Sequence, residues 1–238
     1  MTSWEAVDKW YDDLVGTKGH YYHEHVILPK LIPMLKLDQS SALLDIGCGQ
    51  GILARSLPKG INYHGVDLSP SLIKSASKSK SHNFSVADAC KPFNVGMFTH
   101  AVALLSLQNM EHPDCAIKNA ANHLSSNGVF ICVLNHLCFR IPRQSCWGVD
   151  QSKKLQYRRI DRYLTAMKIP IQIQKETVMS FHHSLSDYSR WLYEAGFCIE
   201  LIEEWISDKE SIGAAAKMEN RCRKEFPLFL TIKCRKIS

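Results

Sequence analysis

Three glycines at alternate positions follow a short apolar run in residues 43–51, which read LLDIGCGQG. Glycine adopts positive φ freely and has no Cβ, so a ligand can come close to its backbone. A turn of this kind at the carboxyl end of a parallel strand is where open α/β sheets bind their ligands. Residues 47–51 are therefore the first candidate for a small-molecule site, although a G-x-G-x-G pattern alone is not specific.

Two aspartates follow the glycines at regular spacing. Asp67 ends a second apolar run 20 residues after Gly47, and Asp88 ends a third run 21 residues after Asp67. A carboxylate at the end of the second strand can accept hydrogen bonds from both hydroxyls of a ribose. A carboxylate after the third strand is placed for an adenine amino group. The spacing thus predicts a nucleoside bound across three neighbouring strand ends.

The residue types around the glycines distinguish between nucleoside ligands. A dinucleotide site would have glycine or alanine where this chain has Ile52, and no phosphate-binding lysine follows the glycines. Asp45, Asp67 and Asp88 instead supply three acidic side chains, which we place together around one rim. They would repel a pyrophosphate and favour a ligand with sulfonium and ammonium charges. This chemistry predicts S-adenosyl-L-methionine (SAM) as the cofactor.

The elements that must position these residues alternate between apolar strands and helical patterns. Strands are predicted at 42–46, 63–67, 84–87, 98–107 and 129–134, and two closing strands at 197–206 and 228–234. The alternation is typical of a doubly wound, mainly parallel sheet with helices on both faces. We therefore predict a Rossmann-like α/β fold with a seven-stranded sheet, N-terminal helices and an insert after strand five.

The 238 residues are predicted to form one domain, which is near the upper end of what a single core accommodates. We expect a helical cover over 1–39, a SAM-binding core over 40–136, a substrate-covering insert over 137–181 and a closing helix and strand pair over 182–238. The insert is inferred from its length, because about 45 residues are too many for a plain connection.

The glycine-rich segment, VDLS at 66–69 and ADA at 87–89 together resemble the class I SAM-dependent methyltransferases. The resemblance covers roughly residues 40–136. It is strongest to the small-molecule branch typified by the methyltransferases of ubiquinone and menaquinone biosynthesis. It implies an enzyme that transfers the methyl group of SAM to an acceptor. One departure is Thr99, which follows Phe98 where the family usually has aspartate, outside the cofactor site.

The resemblance also implies a role for individual positions in the cofactor site. The methionine part would lie on the backbone of Gly47, Cys48 and Gly49, within a loop that also includes Asp45 and Gly51. Asp67 would bind the ribose, with Leu68 against the adenine, and Asp88 and Ala89 would meet the adenine edge. Leu105 and Ser106, at the end of strand four, would border the methyl donor.

The methyl acceptor is less well determined by the sequence. Residues 105–109 read LSLQN, unlike the Asn/Asp-Pro-Pro-Tyr of enzymes that methylate adenine N6 or glutamine. Residues 138–170 contain eight lysines and arginines against two acids, interleaved with aromatic side chains. This segment fits a lid whose arginines pair with a carboxylate or phosphate on a small acceptor. It also fits a nucleic-acid platform, or the solvated surface of a structural insert.

We expect in-line methyl transfer to a small metabolite, with an anionic metabolite among the options. The alternatives are an RNA or protein acceptor and a non-catalytic SAM-binding protein. If the acceptor is a hydroxyl, His136 after strand five and His112 after strand four are candidate general bases. Candidate substrate residues are Tyr11, Tyr22, Phe139, Arg140, Arg143, Trp147, Tyr157 and Arg158. We expect no metal, because the histidine-rich stretch 20–25 better suits a cofactor cover.

Composition limits the remaining classes. A hydrophobic content of 45% and a net charge of +6 are compatible with a globular domain and do not demand a nucleic-acid partner. No apolar run reaches the ~20 residues that span a bilayer. The first residues lack the features of a signal peptide. The nine cysteines include no C-x-x-C pair, which favours reduced thiols and a cytoplasmic location.

Overall fold

The structure is a computed structural model that describes residues 5–7, 16, 19–78 and 81–237. Its strands are β1 (Ala42–Ile46), β2 (Asn62–Asp67), β3 (Asn83–Val86), β4 (Phe98–Leu104), β5 (Leu124–Asn135), β6 (Ser145–Asp150), β7 (Leu155–Ile160), β8 (Met167–Ile173), β9 (Glu176–His182), β10 (Phe197–Trp205) and β11 (Phe229–Lys236). Its α-helices are α1 (Leu28–Leu35), α2 (Ile52–Ser56), α3 (Pro70–Ala76), α4 (Pro113–Asn122), α5 (Leu185–Glu194) and α6 (Ala216–Glu225).

Seven strands form one sheet in the order β10-β11-β5-β4-β1-β2-β3. The strands from β3 to β5 pair in parallel, and β11 lies antiparallel to both β5 and β10. The predicted Rossmann-like, mainly parallel seven-stranded sheet is thereby confirmed. Strand order reverses between β1 and β4, because the chain proceeds outward from β1 on one side and from β4 on the other. Ligands bind beyond the strand ends at such a reversal.

The sheet is covered on both faces, as β5 shows. Phe130, Cys132 and Leu134 pack into the core on one face. Val129, Ile131 and Val133 pack into the core on the other face, together with side chains of α1 and α2. Alternate residues of a strand point to opposite faces. The continuous apolar run at 129–134 is therefore the pattern of a strand buried between two layers of helices.

Two strand boundaries differ from the sequence prediction by three residues or more. β4 ends at Leu104, because Leu105 adopts a left-handed φ of +52° and Leu107–Asn109 forms a 3-10 turn. β5 begins at Leu124, before the Asn127-Gly128 pair that indicates a turn. Asn127 has φ +61°, and the pairing with β4 changes register between Phe98 and His100. The turn residues thus form an irregularity within a longer strand.

The segment between β5 and α5 contains two antiparallel hairpins that the sequence patterns did not predict. The hairpin β8–β9 lies on the 3-10 turn after β4, where the Ser180 hydroxyl donates to the Gln108 carbonyl at 3.4 Å. The hairpin β6–β7 lies against α6, where Cys222 Sγ contacts the Gln156 carbonyl oxygen at 2.9 Å. Both hairpins are therefore anchored to elements of the main domain.

The N-terminal cover is described from Gly19 onward, apart from residues 5–7 and 16. A π-helical segment, His23–Ile27, leads directly into α1. A proline inside a helix usually bends or breaks it. Pro29 lies in the first turn of α1, where its missing N–H has no cost, and Pro33 lies inside a helix that continues to Leu35. No described helix is long and apolar enough to cross a membrane.

Candidate cofactor and acceptor site

The glycine loop turns sharply at the end of β1. Gly47, Gly49 and Gly51 have φ values of +71°, +54° and +78°. The amides of Gly47 and Cys48 both donate to the Val66 carbonyl, at 2.8 and 3.0 Å, which fixes the loop on β2. A Cβ on Gly47 would lie 2.4 Å from the Cβ of Ser106. Glycine is required at position 47 by both conformation and space.

Asp67 connects the glycine loop to the turn before α3. Its Oδ2 accepts the Gly49 amide at 2.9 Å, and its Oδ1 accepts the Ser69 amide at 2.9 Å. Burial raises the pKa of Asp67, whereas these backbone hydrogen bonds lower it. Each carboxylate oxygen has a second lone pair, so ribose hydroxyls can still donate to this side chain. Asp67 is placed at the end of β2 for the role that the sequence suggested.

Asp45 lies beneath the loop instead of around the rim with Asp67 and Asp88. It is 1% exposed, and the Tyr63 hydroxyl donates to its Oδ2 at 2.6 Å. Its Oδ1 has no hydrogen-bond partner among the described residues. Burial raises the pKa of Asp45 to about 7, against the opposing effect of the Tyr63 hydrogen bond. Sequence reasoning could not detect this burial, because Asp45 occupies a position within the strand pattern.

The raised pKa of Asp45 predicts a pH-dependent stability. The folded protein retains the proton up to about pH 7, whereas the unfolded chain releases it near the ordinary value of 3.8. The free energy of unfolding should therefore fall as pH rises from about 4 to about 7, and then level off. In Asp45→Asn this slope should be smaller, as measured by urea denaturation across that range. Asp88→Asn serves as control and should keep the wild-type slope; an unchanged slope in Asp45→Asn would refute the assignment.

The predicted adenine-binding residues follow β2 and β3. Asp88 Oδ1 accepts the Cys90 amide at 3.0 Å, and Oδ2 lies 3.5 Å from Lys91 Nζ. The carbonyl of the buried Ala89 accepts a hydrogen bond from Asn119 Nδ2 at 2.6 Å. Leu68 is 40% exposed, so its side chain remains accessible to a ligand. These local bonds hold the chain after β3 in place beside the end of β2.

The turn after β4 is fixed to both neighbouring strands. The Leu105 amide donates to the Val133 carbonyl of β5 at 2.8 Å, and the Ser106 hydroxyl donates to the Ile46 carbonyl of β1 at 2.6 Å. A left-handed leucine costs about 1–3 kcal/mol, and such strain is concentrated at functional sites. Leu105 and Ser106 therefore lie where β1, β4 and β5 end together, next to the glycine loop.

These residues fit a polar, cationic nucleoside. Asp45 Oδ1, Gln50 Nε2 and Gln108 Oε1 are buried polar atoms without a partner in the described part of the chain. Buried polar atoms are normally hydrogen-bonded. Gln50 lies in the glycine loop and Gln108 in the 3-10 turn after β4, so these two side chains could bind a polar ligand, whereas Asp45 lies beneath the loop. The glycine backbone would hold the methionine part of SAM, and Asp67 and Asp88 its ribose and adenine. The bound cofactor would supply an already activated methyl group.

Comparison with known proteins indicates which activity the central part of the chain supports. Residues 44–132 match the family model described as a methyltransferase domain. This stretch of the chain is a methyltransferase domain. SAM is accordingly the cofactor of this methyltransferase, as its glycine loop and aspartates predicted. A search of curated proteins finds no match to the sequence.

Solved structures share the fold of the methyltransferase at low sequence identity. A SAM-dependent methyltransferase from Mesorhizobium loti is 23% identical, with a TM-score of 0.66 over 87% of this chain and 99% of that chain. The glycopeptide N-methyltransferase MtfA, complexed with S-adenosyl-L-homocysteine, is 14% identical, with a TM-score of 0.60 over 88% of each chain. The [4+2]-cyclase SpnF is 18% identical, with a TM-score of 0.66 over 99% of this chain and 97% of that chain.

Arg140 and Tyr22 come together beyond the end of β5. The Tyr22 hydroxyl lies 3.1 Å from Ser207 Oγ, and its ring packs edge-on against Phe229. Burial lowers the pKa of Arg140, whereas the neighbouring Tyr22 raises it. The Arg140 guanidinium forms no hydrogen bond or ion pair with any residue that the structure describes. It remains charged at neutral pH, because arginine is effectively always protonated in proteins.

Three further predicted substrate residues belong to one packed cluster, and three do not. Phe139 and Trp147 both pack edge-on against Phe226, at 5.2 and 5.4 Å between ring centroids. The Arg158 guanidinium lies 4.9 Å from the Trp147 ring and donates to Ser145 Oγ. Residues outside this cluster are Arg143, which is exposed, Tyr157, which is 49% exposed, and Tyr11, which lies outside the described residues.

The structure gives the two predicted bases different surroundings. His136 Nε2 lies 2.7 Å from Glu204 Oε1, and its Nδ1 accepts the amides of Cys138 and Phe139. Burial lowers the pKa of His136 against the effect of Glu204. Because both ring nitrogens are engaged, this geometry favours a role in holding the turn before Arg140. His112 is exposed before α4.

Proposed function

We propose that this methyltransferase transfers the methyl group of SAM to a small metabolite that carries an anionic group. The observation that supports this proposal is the Arg140 guanidinium, half-buried beyond β5 without an ion pair among the described residues. An unpaired buried charge is costly, and a carboxylate or phosphate with bidentate hydrogen bonds would compensate it. A small-molecule acceptor also accords with the branch that the sequence resembles.

The charges around Arg140 support an anionic acceptor. Burial lowers the pKa of both His20 and Arg158, and the Arg140 charge lowers both further, so these groups lie near one another. Two acids in the vicinity already have partners, since Glu204 binds His136 and Asp208 accepts the Tyr21 hydroxyl. Both carboxylates keep their charge, but the three cations Arg140, Arg158 and Lys209 outnumber them, which would favour an anion at this end of the sheet.

Catalysis by this chain would consist mainly of positioning and exclusion of water. The turn at Leu105 and Ser106 would place the methyl donor against the strand ends. The N-terminal segment at Tyr22 and the turn at Phe139 and Arg140 would cover the acceptor. In-line transfer requires the acceptor nucleophile to approach opposite the leaving sulfur, and the anionic group held by Arg140 would fix that direction.

Arg140→Met tests the anion subsite. We expect the KM for the acceptor to rise about 10- to 100-fold, the scale of a lost charged hydrogen bond. The Kd for SAM should stay unchanged. The acceptor is first identified by incubating the wild type with labelled SAM and a metabolite extract, and KM is then measured for both proteins. Arg143→Met is the matched control, because Arg143 is exposed and should be neutral. An unchanged acceptor KM in Arg140→Met would contradict the subsite.

The same assay distinguishes the alternative functions. Arg158 lies over Trp147, and Arg159 pairs with Asp161 at 3.1 Å, so these two basic residues are partnered within the insert. An RNA acceptor would require salt-sensitive RNA binding that Arg158→Ala with Arg159→Ala removes. A [4+2]-cyclase shares the fold, so the fold alone does not establish methyl transfer. Detection of a methylated product separates an enzyme from a SAM-binding protein.

A further inference from the structure

We propose that His20 is the general base of the reaction and that the acceptor nucleophile is a hydroxyl group. The inference rests on the proposed function and deepens it, because it adds the acceptor atom to the anionic acceptor. It starts from a juxtaposition in the N-terminal cover, where an imidazole without a hydrogen-bond partner in the described structure lies beside two cationic side chains.

The backbone brings the segment of His20 beside the start of α2, directly after the glycine loop. A Cβ built on the preceding Gly19 would lie 3.0 Å from the side chain of Ile52, the first residue of α2 after the glycine loop. Two residues beyond His20, the Tyr22 ring packs against Phe229, whose register partner is Asn135 at the end of β5. The segment therefore extends from the glycine loop to the end of β5.

The surroundings of His20 leave its ring neutral and available. The imidazole is half-buried, and its ring centroid lies 5.8 Å from that of Tyr22. Burial, then the Lys209 charge, then the Arg140 charge lower the pKa of His20 below 6.5. Lys209 follows β10 and Arg140 follows β5, while His23 is the neighbouring titratable group on the same segment. At physiological pH His20 is thus an acceptor for a proton.

The neighbouring histidines do not offer the same combination. His23 is only 8% exposed, so its ring is less accessible to an acceptor. Burial lowers its pKa to about 4, which makes it a weaker base. His25 is exposed and its ring stacks on Tyr21 at 4.3 Å. His136 has both nitrogens engaged. Among these four histidines, only His20 is half-buried, lies near Arg140 and has a ring without hydrogen bonds in the described structure.

The transfer step needs no reactant other than SAM and the acceptor. A ring nitrogen of His20 takes the hydroxyl proton as the acceptor oxygen bonds to the methyl carbon. The carbon–sulfur bond breaks, its electron pair stays on sulfur, and neutral S-adenosylhomocysteine leaves. His20 then releases the proton to water. Arg140 and Lys209 stabilise the negative charge that develops on the oxygen, which favours early proton removal.

The test compares His20→Gln with wild type on a panel of aliphatic and aromatic hydroxy acids, each paired with its amino analogue. We expect kcat on the hydroxy acid to fall about 100-fold or more. The KM for the acceptor and the Kd for SAM should change less than about twofold, because glutamine retains the size and polarity of the side chain. His25→Gln is the matched control on the same segment and should keep wild-type kinetics.

The pH profile and NMR give readouts that a structural role would not change. Wild-type kcat should fall as pH drops through the lowered pKa of His20. The residual kcat of His20→Gln should not show this decrease at low pH. In the protein loaded with S-adenosylhomocysteine, the His20 ring resonance should titrate below pH 6.5. It should titrate at higher pH once benzoate, a carboxylate probe, binds beside it.

Each outcome is decisive. Methylation of the amino acids but not of the hydroxy acids, or wild-type kcat in His20→Gln, overturns the base and leaves the proposed function intact. Absence of methylation of every acid, although the protein binds SAM, overturns the anionic acceptor and the base together. If kcat of His20→Gln falls at low pH as in the wild type, another group is titrating, and the proposal is likewise overturned.

Discussion

Gly47→Ala should reduce the affinity for SAM about 100-fold or more, which corresponds to about 3 kcal/mol. The new Cβ would lie 2.4 Å from the Cβ of Ser106. Ser106 has little freedom to move, because its hydroxyl donates to the Ile46 carbonyl at 2.6 Å. The glycine loop must therefore shift, and its backbone is the surface expected to hold the methionine part. Calorimetric titration with SAM measures the loss.

Two further variants separate the steric clash from backbone strain. Gly60 has φ +90°, and a Cβ there meets no heavy atom within 4 Å. Gly60→Ala should lower the free energy of unfolding by about 1 kcal/mol and leave SAM affinity unchanged. Adding Ser106→Gly to Gly47→Ala removes the opposing Cβ and should restore part of the affinity. Wild-type SAM binding by Gly47→Ala would show that the loop does not form the cofactor site.

Asp67→Ala should weaken SAM binding by roughly 1.5–3 kcal/mol, the scale of lost charge-assisted hydrogen bonds. The variant loses the carboxylate that is expected to accept hydrogen bonds from the ribose hydroxyls. It also leaves the amides of Gly49 and Ser69 without the carboxylate that each now contacts at 2.9 Å. The free energy of unfolding should therefore fall together with the affinity. Isothermal titration with SAM and thermal denaturation of the SAM-free protein measure the two effects.

Asp67→Asn is the control that distinguishes ribose binding from loop support. Asparagine has one carbonyl oxygen and an amide that donates, so it can accept one backbone amide but not both. We expect intermediate stability and an affinity closer to that of Asp67→Ala if the ribose contact dominates. Unchanged SAM affinity in Asp67→Ala would mean that the ribose assignment is wrong.

The sequence by itself determined the sheet and the strand ends that carry the candidate cofactor site. β1 matches its predicted bounds, and the glycine loop and Asp67 follow the predicted strands. These features are local: a strand buried on both faces is a continuous apolar run, and a turn that needs positive φ selects glycine. SAM as cofactor followed from the same short segments, because the acidic and glycine residues lie directly at the ends of those strands.

Only the tertiary structure decided which side chains remain available for chemistry. Tyr22 meets Ser207 across 185 residues, His136 meets Glu204 across 68, and Ser106 meets Ile46 across 60. No pattern in a short window encodes such pairs, so the engagement of both His136 nitrogens, the strain at Leu105 and the burial of Asp45 could not be predicted. The physical reason is that burial and hydrogen bonding are set by neighbours distant in the chain, whereas strand and turn preferences are set by the residues themselves.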